Sequence, residues 1–119
     1  MPMLTRLIMI LTLAVPVPAF AEGMARITAR ADFVAAVQGR TLRSTGVRLN
    51  VAPDGSISGR AFGFAVTGTW EWRDGLFCRT LDTATRDFAL NCQVVETDGA
   101  RIRFTADQGA GDVADLRID

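Results

Sequence analysis

Both cysteines of the chain, Cys78 and Cys92, and both tryptophans, Trp70 and Trp72, fall between Val66 and Cys92. Two thiols in a small exported domain make one disulfide. It closes a loop of about 15 residues, worth ~3 kcal/mol on chain-entropy grounds. A zinc site is disfavoured, because the chain has no His and only these two thiols. The spacing is not the Cys-x-x-Cys of thiol redox centres.

Catalytic groups are scarce. There is no His to act as a base near neutral pH and no Lys for a Schiff base or a phosphate anchor. The serines beyond the N-terminal segment, Ser44, Ser56 and Ser58, have no evident base. Asp54, Asp74 and Asp98 each precede a glycine and are turn formers. They lie in separate loops without EF-hand spacing. The glycine-rich loop at 106–112 lacks Lys and carries Asp107 and Asp112, so it repels phosphate. The expectation is a protein that is not an enzyme and uses no metal or cofactor.

Two groups of residues are candidates for binding. Gly59 and Gly68 fall on the same strand faces as Trp70 and Trp72, so their missing side chains could leave an internal cavity for a small apolar ligand. The plainer roles are tight sheet curvature for the glycines and core filling for the indoles. Arg79, Arg101 and Arg103, with Glu71 among them, could form a partner or anion face, the plainer role being a solvated sheet surface.

The elements that must position these residues follow from periodicity. Arg6, the apolar run Leu7–Val15 and Ala19-Phe20-Ala21 have the form of a cleaved signal peptide, residues 1–21. The run is short of the ~20 apolar residues of a membrane span, and Pro16 and Pro18 interrupt it. Residues 22–119 then form a single domain in the periplasm or outside the cell. Its charge is about −1, which argues against general nucleic-acid or anionic-membrane binding. A short helix is expected over Ile27–Gly39, capped by Thr28 and Gly39 and burying Phe33, Ala36 and Val37.

Beyond Arg40 the apolar period is two, broken by Pro53-Asp54-Gly55, Arg73-Asp74-Gly75 and Thr97-Asp98-Gly99. Three-residue loops ending in a left-handed Gly set Val51 opposite Ile57, Trp70 opposite Cys78 and Cys92 opposite Phe104. On that register Trp70, Trp72, Leu76, Cys78, Leu90, Cys92 and Val94 point inward. Glu71, Arg79, Asn91, Gln93, Arg101 and Arg103 point outward. The expected fold is mainly β: a small antiparallel up-and-down β-barrel or half-barrel of roughly six to eight strands, with the helix plugging one end.

The run Gly68-Thr69-Trp70-Glu71-Trp72-Arg73-Asp74-Gly75-Leu76-Phe77-Cys78-Arg79, followed by Asn91-Cys92-Gln93-Val94-Val95, resembles a group of short exported alphaproteobacterial proteins with a Gly-x-Trp strand, an Asp-Gly turn and two cysteines. Some such chains carry the label dihydrodipicolinate reductase. That activity needs a dinucleotide-binding βαβ domain with Gly-x-Gly-x-x-Gly, which this chain does not contain. The Gly-x-Trp feature is also similar to lipocalins and to small barrel inhibitors of secreted hydrolases. The expected function is binding, of an unknown protein or a small apolar ligand. The alternatives are inhibition of a periplasmic or secreted hydrolase, and a small enzyme.

Overall fold

A computed structural model describes residues 23–119. The expected signal segment lies outside the described residues.

Among the described residues the domain is antiparallel β with one α-helix and a short 3-10 turn at Asp107–Gly109. Its strands are β1 (Ala25–Ile27), β2 (Leu42–Ser44), β3 (Val47–Val51), β4 (Ser56–Ala61), β5 (Phe64–Arg73), β6 (Leu76–Asp82), β7 (Asp87–Thr97), β8 (Arg101–Thr105) and β9 (Val113–Ile118); α1 spans Arg30–Val37. Strands β2 to β9 close into an eight-stranded barrel through the β2–β9, β8–β9 and β7–β8 pairings. β7 is long enough to pair with β6 along Asp87–Gln93 and with β1 along Val95–Thr97.

The helix starts later than expected. Ile27 is taken by β1, and Ala29 rather than Thr28 occupies the N-cap. The Thr28 carbonyl instead accepts the indole N–H of Trp72 at 2.9 Å. The buried face of α1 is as expected, with Phe33 and Val37 buried and Ala36 partly so.

Phe33 is wholly buried and sits among four rings. It stacks on Trp72 (centroids 5.0 Å), meets Trp70 edge-on (5.2 Å) and touches Phe77 and Phe104. The Trp70 indole donates to the Ala52 carbonyl (2.8 Å), so both inward-facing indoles, Trp70 buried and Trp72 partly so, have a partner. Arg30 donates to the Pro53 carbonyl (2.7 Å) and ties the helix to the β3–β4 loop. The helix therefore closes the end of the barrel that carries the β3–β4 and β5–β6 turns.

Only one of the three hairpins has the expected register. Val51 does face Ile57, around the loop Pro53-Asp54-Gly55 with Gly55 left-handed. Pro53 holds the first central position at negative φ, which forces the longer loop. The β5–β6 turn has no proline. Asp74 and Gly75 both take positive φ, 52° and 75°, in a two-residue turn. Trp70 then faces Arg79 and Glu71 faces Cys78, a slip of one residue. In the third hairpin the Asp98 carboxylate accepts the N–H groups of Ala100 and Arg101, and the turn shrinks to Gly99-Ala100. Phe104 faces Val95, not Cys92.

An odd slip turns a strand over. β6 and β7 are therefore reversed relative to expectation. Phe77, Arg79, Asn91 and Gln93 point inward, while Leu76, Cys78, Leu90, Cys92 and Val94 point outward. Both strands turn together, so Cys78 and Cys92 still stand opposite each other and form the disulfide, on the outer wall.

Phe33→Ala removes the centre of the plug and should cost about 3–5 kcal/mol of stability, measured by urea unfolding. A Cys78→Ser/Cys92→Ser double variant should lose ~3 kcal/mol in the same assay, its secondary structure otherwise unchanged.

Candidate functional site

Inside the barrel, below the aromatic plug, lies an apolar cavity of about 140 Å³. Leu42, Leu49, Val51, Ile57, Phe77, Phe104 and Leu116 form its walls, with Arg79 and Gln93 as polar members. It shares Leu49 and Leu81 with a second apolar hollow of about 320 Å³, lined by Val47, Phe62, Phe64, Val66 and Phe88. This second hollow sits at the end opposite the helix, where the β2–β3, β4–β5 and β6–β7 turns gather. The barrel is closed at one end and apolar at the other.

The rim is built from exposed aromatics. Phe62 is 74 % exposed and Phe64 45 %. Phe62 adopts φ 50° in the turn before Gly63, a conformation bulky side chains rarely take. A strained, solvent-facing ring at the mouth of an apolar hollow is a feature that core packing does not require. Arg86 lies over the Phe88 ring at 4.6 Å and flanks the same mouth.

Arg79 is the unusual member of the interior. It is half-buried and pairs in register with Trp70 and Asn91, both facing in. Its guanidinium donates to the Ala89 carbonyl at 3.1 Å and makes no ion pair among the described residues. Burial pulls its pKa below the ordinary arginine value, and it stays charged at physiological pH. Gln93, 7 % exposed, is the one buried polar residue among the described residues and donates to Asn91 at 3.4 Å. Asn91 in turn bonds Asp107 through both its amide and its carbonyl, at 2.7 and 3.0 Å.

The candidate residues read from the sequence are not brought together as grouped. Trp70 and Trp72 face inward as expected but belong to the plug, away from the cavity walls. Gly59 and Gly68 also face inward, yet neither lines the interior cavity or the mouth. A Cβ on Gly59 would collide with the Arg48 carbonyl oxygen, and one on Gly68 with the Thr80 carbonyl oxygen. These glycines let neighbouring strands close in, the role of Gly at tight bends of a sheet. Of the arginine face, Arg79 is inside, against expectation. Arg103 is forked onto Asp115 (2.7 and 3.0 Å), and Glu71 lies across the barrel beside Arg73 (3.1 Å). Of that predicted group, only Arg101 stands on the outer wall without an ion-pair partner among the described residues.

Sequence reasoning missed Phe62, Phe64, Phe88 and Gln93. The Phe62-Gly63 step between two alternating runs was the available signal for the mouth, because Gly after an aromatic there marks a tight hairpin tip.

Among the described residues no helix is long and apolar enough to cross a membrane, and no group of three or more His, Cys, Asp or Glu is placed to hold a metal ion. The disulfide fits an oxidising compartment outside the cytoplasm. No protein-family model, no curated protein and no solved structure matches the chain.

Four carboxylates are held below their ordinary range by local bonds: Asp54 by the Ser56 hydroxyl and N–H, Asp98 by the N–H groups of Arg101 and Ala100, Asp115 by Arg103, and Asp119 by Arg117. A carboxylate whose folded pKa is depressed stabilises the fold above its unfolded value, and that contribution is lost as pH falls through the folded value. The chain has no His to titrate between. The urea midpoint should therefore stay nearly flat from about pH 5 to 8 and decline below about pH 4.

Proposed function

We propose that this protein is an exported, non-enzymatic binding protein of the cell envelope whose barrel holds one small amphiphile. The apolar body occupies the mouth and cavity, and an anionic head group meets Arg79. An eight-stranded barrel is the size that holds a single small ligand, as in lipocalins. The leader-like residues 1–21 and the disulfide support an envelope location, the periplasm above all. The likeness to short exported alphaproteobacterial proteins belongs to the same reading.

The observation that carries the proposal is Arg79. Arg79 is half-buried and has no counter-ion among the described residues; drawing a cation even partly out of water without a counter-ion is costly, and interiors normally pair such groups. Arg79 stands in an apolar cavity with one neutral carbonyl as its hydrogen-bond partner. A fatty carboxylate supplies the missing charge in a geometry that a guanidinium fork accepts.

Titration with parinaric acid, a fluorescent polyene fatty acid, checks this. The wild type should bind one equivalent with a Kd on the order of micromolar. Arg79→Met should weaken that binding about tenfold or more, while the methyl ester of the probe should bind both proteins alike. Equal affinity of the wild type for acid and ester would sink the assignment of the head group to Arg79. Absence of binding to either would sink the interior site.

A further inference from the structure

A second binding feature lies on the outside of the barrel and owes nothing to the interior. The strand register aligns arginines. Arg60 of β4 stands opposite Arg48 of β3, and Arg48 opposite Arg43 of β2. Arg43 stands opposite Arg117 of β9, and Arg117 opposite Arg101 of β8. Cross-strand partners share a face. Here it is the outer one, since Val47 and Leu49 on either side of Arg48 point inward.

Five cations therefore occupy neighbouring positions across five consecutive strands. At ~4.8 Å per strand the row extends about 19 Å. All five line a single open groove of about 750 Å³.

Such a row works against the fold. Like charges directly opposite each other destabilise a sheet, and this wall has them at each step. Among the described residues one acid forms ion pairs with the row: Asp119, forked onto Arg117 at 2.8 and 3.1 Å. The same carboxylate lies 3.0 Å from Arg43 Nε without hydrogen-bond geometry, and that buried nitrogen has no hydrogen-bond partner among the described residues. Asp115 also lines the groove; it is forked onto Arg103 and feels the charge of Arg101 without an ion-pair contact to it. Arg48, Arg60 and Arg101 make no ion pair among the described residues.

We infer that this groove binds a linear anionic polysaccharide. Guanidinium forks match carboxylate and sulfate groups bidentately, and a row of them matches a chain that repeats such groups. Between the arginines the lining is small and hydroxylic: Ser44, Thr45, Gly46 and Gly63. That suits sugar hydroxyls. Among the described residues no aromatic ring lines the groove; Phe62, whose ring lies against Gly46 at its edge, lines the apolar mouth instead, so the arginine row offers bases no stacking platform of its own. The wall belongs to paired strands, so an acidic peptide finds no free edge to extend. A flat lipid surface does not reach into a groove.

The test uses heparin as the probe, by calorimetry and by retention on immobilised heparin. Single-stranded oligonucleotide, polyglutamate and phosphatidylglycerol vesicles serve as competing polyanions. The wild type should prefer heparin. The triple variant Arg48→Gln/Arg60→Gln/Arg101→Gln should bind about tenfold more weakly per arginine removed, with the salt dependence of binding shallower by about one per arginine. Its Tm should rise, because the like-charge contacts are gone. Arg73→Gln, outside the row, should leave binding unchanged. The inference is overturned if the wild type ignores heparin or prefers another polyanion. It is equally overturned if the triple variant binds as the wild type does, or if its Tm falls with its affinity.

Discussion

A side chain on a strand has two faces to choose from, and in a meander the turn before the strand makes the choice. Between β5 and β6 that turn is Asp74-Gly75, with both residues left-handed. A loop one residue longer would send Cys78 into the core and Arg79 to solvent. The two-residue turn instead buries Phe77 beneath Phe33 and carries Arg79 into the barrel. The contraction of the β7–β8 turn repeats the reversal at the far side of β7. The disulfide strands thus turn over as a pair, which leaves the Cys78–Cys92 bond possible and moves it outside.

The plug and the mouth follow from how aromatic volume is distributed. Five of the large rings, Phe33, Trp70, Trp72, Phe77 and Phe104, gather at the helix end. The other end receives Phe62, Phe64 and Phe88, which are not buried, and the aliphatic walls between are too small to fill the lumen. Gly59 and Gly68 contribute by drawing strands together, not by leaving room. The cavity exists because bulk was spent at one end.

Much of the architecture was legible in the sequence. The alternation of apolar and polar residues pointed to an antiparallel barrel or half-barrel and to the inward tryptophans, without deciding closure, and the helical spacing of Phe33, Ala36 and Val37 gave the buried face of the helix. The Pro53 hairpin was legible in detail because proline removes the shorter alternative. The Asp74 and Asp98 turns were not, since Asp tolerates both a central left-handed position and a capping position before the turn. Resemblance in form among three Asp-Gly steps concealed three different backbones. The short strands β1 and β2 were hidden as well: three residues show too little period, and β1 is held by its pairing with β7.

The arginine row shows why composition bounds so little. A domain with almost no net charge still places five cations on adjacent strands, because its acids are spent elsewhere: in turns at Asp54 and Asp98, and in a fork with Arg103 at Asp115. Net charge sums over the surface, whereas a polyanion meets one wall. The register of the Pro53 hairpin already sets Arg48 against Arg60. The remaining alignments need the barrel to close, for it is the β2–β9 pairing that brings Arg117 and Arg101, near the C-terminus, into line with Arg43. Closure removes free strand edges and extends the charged row in the same step, so both the barrel wall and its anion groove depend on that one pairing.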